Sequence, residues 1–259
     1  MCLILFAYHS HPRFRLIMAA NRDEYYKRPT QALQFWPDYP DLAAGRDLQE
    51  RGTWLGITRT GRLAAVTNYR EIGSKKDGAP SRGDLVTDFL VGNMPPDLYC
   101  QKLRREGDRY NGFNLIFGDM KEIYYFSNRC RIPAQSIAPG IHGLSNRLLD
   151  TDWPKVRNGK ARLTAILARY DEAQYRQQLW DLLKSQETAP EAQLPETGVG
   201  RAWERILAPI FITSPAYGTR SSSLLTVAYD GMVQFSEITW SPAQARPTAI
   251  NQKKLCFTI

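Results

Sequence analysis

The chain opens with MCLILFAYHSHPRFRLIMAANRDE, residues 1–24, and this stretch decides the fold. Two short apolar runs, Leu3–Tyr8 and Phe14–Ala20, are joined by a His-Ser-His-Pro-Arg turn. Such a pattern predicts a hairpin of two largely buried strands. Paired strands of similar length place the start of one beside the end of the other. We therefore expect the polar residues 21–24, which follow the second run, to return beside Cys2.

Further hairpins are predicted where pairs of apolar runs flank short turns at Thr60-Gly61, Gly118-Asp119 and Asp230-Gly231. Apolar residues at helical spacing predict helices between these hairpins, one after Ser81 and two between residues 163 and 183. Antiparallel sheets covered by helices, an α+β fold, follow from this order. The Pro- and Gly-containing stretch 186–200 separates elements rather than domains, because strand patterns resume behind it. We therefore predict one domain over residues 1–259.

Composition excludes several classes of protein. The 259 residues are 43% hydrophobic and 23% charged, which is ordinary for a globular protein. The net charge of +8 comes from dispersed basic residues, so we expect no nucleic-acid partner; an anionic small ligand is the functional alternative to plain surface charge. We find no transmembrane segment and no targeting signal, and expect a cytoplasmic protein. Four widely spaced cysteines predict free thiols rather than disulfides or a zinc site.

Cys2 stands directly behind the initiator methionine, and this position suggests a nucleophile. Removal of Met1 would put an α-amine and a thiol on one residue. An unperturbed α-amine has a pKa of ~8 and can take the thiol proton, which leaves the reactive thiolate. Arg22 would favour the thiolate, while Asp23 or Glu24 could hold the amine. The alternative reading is a small apolar residue at the start of a buried strand.

Polar motifs recur along the chain, mostly where strand patterns end. They are Asn21–Glu24, Gly45–Asp47, Gly52–Gly56, Thr67–Arg70, Ser81–Gly83, Tyr110–Leu115, Gly143–Asn146 and Tyr217–Ser223. This ordered set resembles the NRDE family, also called the transport and Golgi organisation protein 2 family. That family is similar to the cysteine N-terminal-nucleophile hydrolases, such as penicillin V acylase and bile salt hydrolase. The resemblance implies an αββα four-layer sandwich of two antiparallel sheets with helices outside.

The resemblance also implies a set of site residues. Its catalytic members in this chain would be Cys2, Arg22, Asp23, Asn68, Asn146 and Arg220. The candidate binding residues from the same motifs are Asn21, Glu24, Tyr69, Arg70 and Arg82. In the hydrolases the acid follows the arginine by three residues, whereas Arg22 and Asp23 are adjacent here.

Two functions remain open at this point. The first is a Cys2-centred site that acts on amide or thioester bonds of a small acyl substrate, with no required cofactor and no metal. The second is a carrier on the same scaffold, without turnover, for haem or for an acyl-CoA-like or lipid cargo. His9, His11 and His142 are the candidate haem ligands, although a His-Ser-His turn is more often exposed surface.

Overall fold

The computed structural model describes residues 2–73, 76–130, 134–242 and 247–259. Met1, whose removal the sequence suggests, lies outside these ranges. Within them the strands form two sheets in which all neighbouring strands are antiparallel. The predicted hairpins account for the centre of both sheets.

The first sheet has six strands and contains both ends of the described chain. Its spatial order is β10-β1-β2-β11-β12-β13. The strands are β1 Cys2–Tyr8, β2 Phe14–Tyr25, β10 Gly140–Leu144, β11 Tyr217–Ala228, β12 Met232–Trp240 and β13 Ala249–Thr258. β1 is therefore an interior strand, flanked by β10 and β2.

The second sheet has seven strands in the order β3-β4-β5-β6-β7-β8-β9. These are β3 Thr30–Trp36, β4 Tyr39–Asp47, β5 Leu55–Thr58, β6 Leu63–Asn68, β7 Phe113–Gly118, β8 Ile123–Ser127 and β9 Gln135–Ser136. Every strand neighbours the next one along the chain, so this sheet is a simple meander.

Helices cover the outer faces of the sheets. They are α1 Arg82–Val91, α2 Pro96–Glu106, α3 Pro154–Ala168, α4 Tyr175–Leu183 and α5 Arg201–Leu207. Short 3₁₀ turns occupy Gly107–Arg109 and Glu191–Gln193. α1 and α2 pack on the second sheet, whereas α3 and α4 pack on the first. α1 begins where the Ser81 hydroxyl accepts a hydrogen bond from the Gly83 N–H, as an N-cap.

Three apolar clusters separate the four layers. One lies between the sheets and includes Ile4 and Phe6 of β1. Leu3 and Leu5, which alternate with them, instead face α3 and α4. A third cluster joins α1 and α2 to the outer face of the second sheet. Alternate side chains of β1 thus pack into two different apolar clusters, as expected for a strand buried on both faces. The predicted α+β fold, an αββα four-layer sandwich, is confirmed.

Two strands run further than the apolar pattern predicts. β2 continues through Asn21–Glu24 to Tyr25, and β11 begins at Tyr217 instead of Leu224. These polar segments pair with each other, from Asn21 opposite Ser222 to Tyr25 opposite Tyr217. Backbone pairing and side-chain hydrogen bonds satisfy their polar groups, so polar residues continue the strands in the interior. The motif Asn21–Glu24 is therefore part of a strand and not a turn that closes it.

Candidate functional site

Cys2 lies directly opposite Arg22 in the pairing of β1 with β2. Directly opposite residues of an antiparallel pair point to the same face of the sheet. Ile4, two residues after Cys2, lies in the cluster between the sheets, so Cys2 and Arg22 both face the second sheet. Cys2 is partly exposed, while Arg22 is only 5% exposed.

Cys2 lines a cleft of about 580 Å³ at this end of the sandwich. One wall is formed by residues 22–25 of β2, and the opposite wall by the segment Gly52–Trp54 before β5. The segment Ala79–Gly83, which leads into the first residues of α1, closes a third side. Gly52 is required where these two walls meet, because a Cβ there would lie 2.8 Å from the backbone carbon of Gly83. This volume suits a small ligand.

A network of charged side chains fixes Arg22 in the cleft wall. Its guanidinium donates to an Asp47 carboxylate oxygen at 3.0 Å and lies 4.4 Å from the centre of a Trp54 ring. Arg28 donates to the same oxygen at 2.5 Å. The pKa of Asp47 is lowered although burial opposes this, because the two guanidinium groups and backbone N–H groups stabilise its carboxylate. One carboxylate therefore holds two arginines.

The Cys2 thiol lies in surroundings that disfavour its ionisation. Burial raises its pKa above the ordinary value, and the Asp23 carboxylate acts in the same direction. The Arg22 guanidinium and a hydrogen bond from the Asp23 backbone oppose this rise but do not cancel it. A thiol in these surroundings needs a proton acceptor before it can react as a thiolate.

Asp23 is 1% exposed and accepts a hydrogen bond of 2.7 Å from the Thr219 hydroxyl. Burial raises the pKa of its carboxyl group, while the cation of Lys155 lowers it. Lys155, in the first turn of α3, is itself buried. Asp23 therefore lies at the base of the cleft, between Cys2 and the helix layer.

Asn68, at the end of β6, lines the cleft, whereas Asn146 does not. The Asn146 amide donates to the backbone carbonyl of Asn68 at 2.9 Å. The backbone carbonyl of Asn146 accepts a hydrogen bond of 2.7 Å from the backbone N–H of Arg70. Asn146 therefore clamps residues 68–70 from two sides and sets the position of Asn68. The Arg70 side chain is turned away from the cleft and forms a buried ion pair with Glu204 at 2.9 Å.

Arg82, the first residue of α1, lines the same cleft as Cys2 and Glu24. Its guanidinium donates to the Gly112 carbonyl at 3.2 Å. Burial lowers its pKa, while the Glu24 carboxylate and Cys2 in its thiolate form both favour the charged guanidinium. Arg82 is thus a cation on the cleft wall within the electrostatic reach of Cys2.

Besides Asn146 and Arg70, three predicted site residues are not in the cleft lining. Asn21 faces α4 and donates to the carbonyl groups of Leu183 and Ile210, both at 2.9 Å. Arg220 is the extra residue of a bulge in β11 and donates to the Tyr25 and Arg28 carbonyl groups behind the cleft. Tyr69 packs beneath the guanidinium of Arg147. These residues shape the site from outside it.

Sequence reasoning missed other parts of the site. Asp47 and Trp54 stand in motifs that the sequence analysis noted without assigning them a role. Lys155 and Glu204 had no distinguishing pattern, since a lysine and a glutamate on amphipathic helices are usually exposed. A possible signal for Lys155 was its place at the start of a helix, where a cation is unfavourable.

The histidines proposed as haem ligands lie away from the cleft. His9 and His11 are in the turn between β1 and β2, at the opposite end of β1 from Cys2. Both ring nitrogens of His142 are engaged, one by Asp150 and the other by the Ala138 carbonyl. Among the residues that the structure describes, no group of three His, Cys, Asp or Glu side chains could hold a metal ion. All four cysteines are free thiols.

Comparison with known proteins identifies the family. The profile described as Transport and Golgi organisation 2 matches residues 1–242. The chain belongs to this family. Transport and Golgi organization protein 2 homologs from Bos taurus and Homo sapiens are 39% and 37% identical to it, and each alignment covers 92% of both chains. The Drosophila melanogaster protein of this name is 28% identical over the same share. The predicted membership of the Transport and Golgi organisation 2 family is confirmed.

Solved structures also align with this member of the Transport and Golgi organisation 2 family. A conjugated bile acid hydrolase from Clostridium perfringens aligns over 100% of this chain and 97% of its own, with 9% identity and a TM-score of 0.48. Penicillin V acylase from Agrobacterium tumefaciens aligns over 92% and 84%, with 13% identity and a TM-score of 0.39. Across the described ranges, no helix combines the length and the apolar character needed to cross a membrane.

Proposed function

We propose that Cys2, once Met1 has been removed, is the nucleophile of a hydrolase that cleaves amide or thioester bonds of a small acyl compound. The observation that supports this most directly is the position of Cys2, whose partly exposed side chain lines the cleft beside Arg22 and Asp23. A structural cysteine at the start of a buried strand would not need charged neighbours that affect its ionisation.

The first step of the proposed reaction requires a base at Cys2. The free α-amine of Cys2 itself would accept the thiol proton, because burial of the thiol keeps it protonated otherwise. Asp23, whose backbone already contacts the sulfur, would orient this amine. The thiolate then attacks the acyl carbon, the new carbon–sulfur bond forms, and the bond to the amine or thiol leaving group breaks as that group takes the proton. Water then hydrolyses the acyl-enzyme and regenerates the thiol.

Asn68 is the proposed donor to the oxyanion that forms during this attack. It lines the cleft, and Asn146 fixes its backbone by the hydrogen bond described above. Preorganised donors of this kind lower the barrier more than flexible ones, because they need no reorganisation during the reaction. Arg82 would receive an anionic group of the substrate, so the preferred substrate is an acyl compound that carries a carboxylate or a phosphate.

The first test is acyl release by the purified protein from a panel of anionic amides and thioesters, with Cys2→Ala beside wild type. We expect Cys2→Ala to abolish acyl release, because the acyl-enzyme of the proposed reaction forms on the Cys2 sulfur. Cys256→Ala is the matched control, since Cys256 is an exposed thiol on the edge strand β13, and it should retain full activity. Intact-mass measurement defines the amino terminus; retained Met1 would contradict the proposal.

A carrier function on the same scaffold is the second candidate, and the cation of Arg82 in the cleft favours it for an anionic cargo. Haem carboxylates or the phosphates of an acyl-CoA are such anions. The same two proteins separate the candidates: a carrier would bind haemin or an acyl-CoA equally well before and after Cys2→Ala, without acyl release from either.

A further inference from the structure

Asn114 is a buried polar residue for which neither the fold nor the proposed reaction has yet given a reason. It lies in β7, within the motif 110–115, and is 0% exposed. Its amide donates to the Thr67 hydroxyl at 3.1 Å and to the Arg147 carbonyl at 2.8 Å. Its side-chain carbonyl accepts a hydrogen bond of 2.8 Å from the Tyr125 hydroxyl. Burying an amide is costly unless its hydrogen bonds are made, and those of Asn114 are made to three different partners.

The hydrogen bonds of Asn114 and its two side-chain partners hold the segment 145–149, which follows β10. Thr67 lies directly opposite Asn114 on the neighbouring strand β6, and Tyr125 lies diagonally from it on β8. The Thr67 hydroxyl donates to the Ser145 carbonyl at 2.6 Å, and the Leu149 N–H donates to the Tyr125 hydroxyl at 3.2 Å. Together with the bond from Asn114, these side chains fix the segment at both ends and in its middle. All three are buried, so water does not compete for these hydrogen bonds.

The segment 145–149 also contacts the candidate site. The Ser145 hydroxyl donates to the Cys2 backbone carbonyl at 3.4 Å. The Asn146 amide donates to the Asn68 backbone carbonyl at 2.9 Å, as described above. The segment therefore connects the buried polar side chains of the second sheet to the backbone of both the proposed nucleophile and the proposed oxyanion donor.

We propose that Asn114 is a positioning residue that acts through the segment 145–149 and fixes the position of Asn68 relative to Cys2. These two residues belong to different sheets, since Cys2 begins β1 of the first sheet and Asn68 ends β6 of the second. An oxyanion donor must be held at hydrogen-bond distance from the forming oxyanion, and a displacement of about 1 Å is costly. The inference rests on the proposed roles of Cys2 and Asn68, and it assigns Asn114 no contact with the substrate.

The test compares two reactions of the Cys2 thiol, of which only one forms an oxyanion. In acylation by p-nitrophenyl acetate, the thiolate attacks the carbonyl carbon, an oxyanion forms, and nitrophenolate leaves. In alkylation by iodoacetamide, the thiolate displaces iodide and no oxyanion forms. Acylation is measured as the nitrophenolate release that Cys2→Ala removes in each background, and alkylation by mass spectrometry of the amino-terminal peptide. The ratio of the two rates reports oxyanion stabilisation rather than the reactivity of the thiol.

We expect Asn114→Ala to lower this ratio about tenfold, because the acylation rate falls while the alkylation rate changes little. Tyr125→Phe removes one hydroxyl group from the same network and should lower the ratio in the same direction but by less. Asn128→Ala is the matched control. Asn128 is a partly buried asparagine whose side chain bonds the Phe113 N–H and the Gly107 carbonyl instead of the segment 145–149, so the ratio should stay at the wild-type value.

Asn68→Ala separates this inference from the proposed function. It should lower the ratio itself, and Asn114→Ala should then lower it no further, because no donor remains to be positioned. An unchanged ratio in Asn68→Ala would refute the proposed donor and the inference with it. A fall in Asn68→Ala without a fall in Asn114→Ala would refute the inference alone. Lack of hydrolytic turnover in wild type would refute the proposed hydrolase but leave this comparison valid, because the ratio depends on a single acylation step.

Three further results would overturn the inference. They are an equal fall of both rates in Asn114→Ala, the same fall of the ratio in Asn128→Ala, and an additional fall when Asn114→Ala is combined with Asn68→Ala. Circular dichroism checks that each variant is folded, since removing a buried hydrogen-bonding group is destabilising. If Asn114→Ala does not fold, Tyr125→Phe decides by the same criteria.

Discussion

The side chains of four consecutive residues, Asn21 to Glu24, point alternately to the two faces of strand β2. Side chains alternate along a strand, so Arg22 and Glu24 face the second sheet and the cleft, while Asn21 and Asp23 face the helix layer. Arg22 accordingly contacts Asp47, whereas Asn21 contacts residues at the end of α4 and before β11. In this polar motif, residues that face the cleft therefore alternate with residues that face the helix layer.

We predict that Asn21→Ala lowers the free energy of unfolding by roughly 3 kcal/mol, because it leaves two carbonyl groups and the Ser222 hydroxyl without their buried partner. Urea unfolding measures this loss. Asn93→Ala, at an exposed asparagine after α1, is the control and should change stability little. Unchanged stability together with lost ligand binding would instead assign Asn21 to the cleft.

At the scale of elements, Asp150 ties strand β10 to helix α3. It accepts from the ring of His142 at 2.7 Å and from the Gly143 N–H at 2.9 Å, both in β10, and it pairs with Lys160 of α3 at 2.6 Å. These contacts lower the pKa of Asp150 to about 2, although burial opposes the shift, and the hydrogen bond that the His142 ring donates to Asp150 raises the pKa of His142. The link holds α3, and with it Lys155, against the first sheet.

The pH dependence of this link follows from the two shifts. The lowered pKa of Asp150 gives stability that is present above its unfolded value of 3.8 and is lost as pH falls towards about 2. The raised pKa of His142 gives stability that is complete below its unfolded value of 6.5 and is lost as pH rises through the folded value. The contribution is therefore largest between these two unfolded values.

We predict that Asp150→Asn lowers the free energy of unfolding by roughly 1–2 kcal/mol at pH 5.5, a figure reduced for the partial exposure of the group, and by less at pH 3. Asparagine tolerates the left-handed backbone of Asp150, whose φ is 57°, so the variant isolates the charge. Urea unfolding at both pH values measures the effect. Asp152→Asn, whose side chain is 75% exposed, is the control; an equal loss from it would contradict the assignment.

The helices and strands that could be predicted are those recognisable from a pattern within a few neighbouring residues of the sequence. A hairpin requires two neighbouring apolar runs and a turn, and the register of β1 with β2 followed from the similar lengths of their apolar runs, Leu3–Tyr8 and Phe14–Ala20. β13 was missed, because its residues Ala249–Lys254 are all exposed and four of them, Asn251–Lys254, are consecutive polar residues that give no alternation. The burial of Lys155 could not be predicted, since it depends on a contact with α5, which is distant in the sequence.

Across the whole molecule, Glu237 joins the two sheets. It belongs to β12 of the first sheet, and its carboxylate accepts a hydrogen bond of 2.9 Å from the N–H of Leu33 in β3 of the second. Leu33 lies in an irregularity of the β3 pairing, between Gln31 and Gln34. Burial raises the pKa of Glu237 to about 7. A titratable group thus bridges the interior of the sandwich.

This raised pKa makes stability fall as pH rises. Between its unfolded value of 4.5 and about 7, the native carboxyl group holds a proton that the unfolded chain has lost, so the free energy of unfolding decreases across this window. Glu237→Gln keeps an oxygen for Leu33 but cannot ionise. We predict that its unfolding free energy, relative to wild type, grows by roughly 2–3 kcal/mol from pH 5 to pH 8.

Urea unfolding at several pH values measures this difference, and Glu187→Gln, at an 85% exposed side chain, is the control that should show no such trend. A flat difference for Glu237→Gln would mean that the bridge between the sheets does not titrate near neutral pH.

The position of Cys2 has a practical consequence for anyone who prepares this protein. An affinity tag or a fluorescent fusion placed ahead of Cys2 would be attached at the cleft wall, since Cys2 itself lines the cleft. It would keep the α-amine of that residue acylated and would crowd any incoming ligand. β13 ends at Thr258 on the edge of its sheet, largely exposed, so a carboxyl-terminal tag leaves the opening clear. Negative assays on amino-terminally tagged material would therefore carry no weight against enzymatic activity.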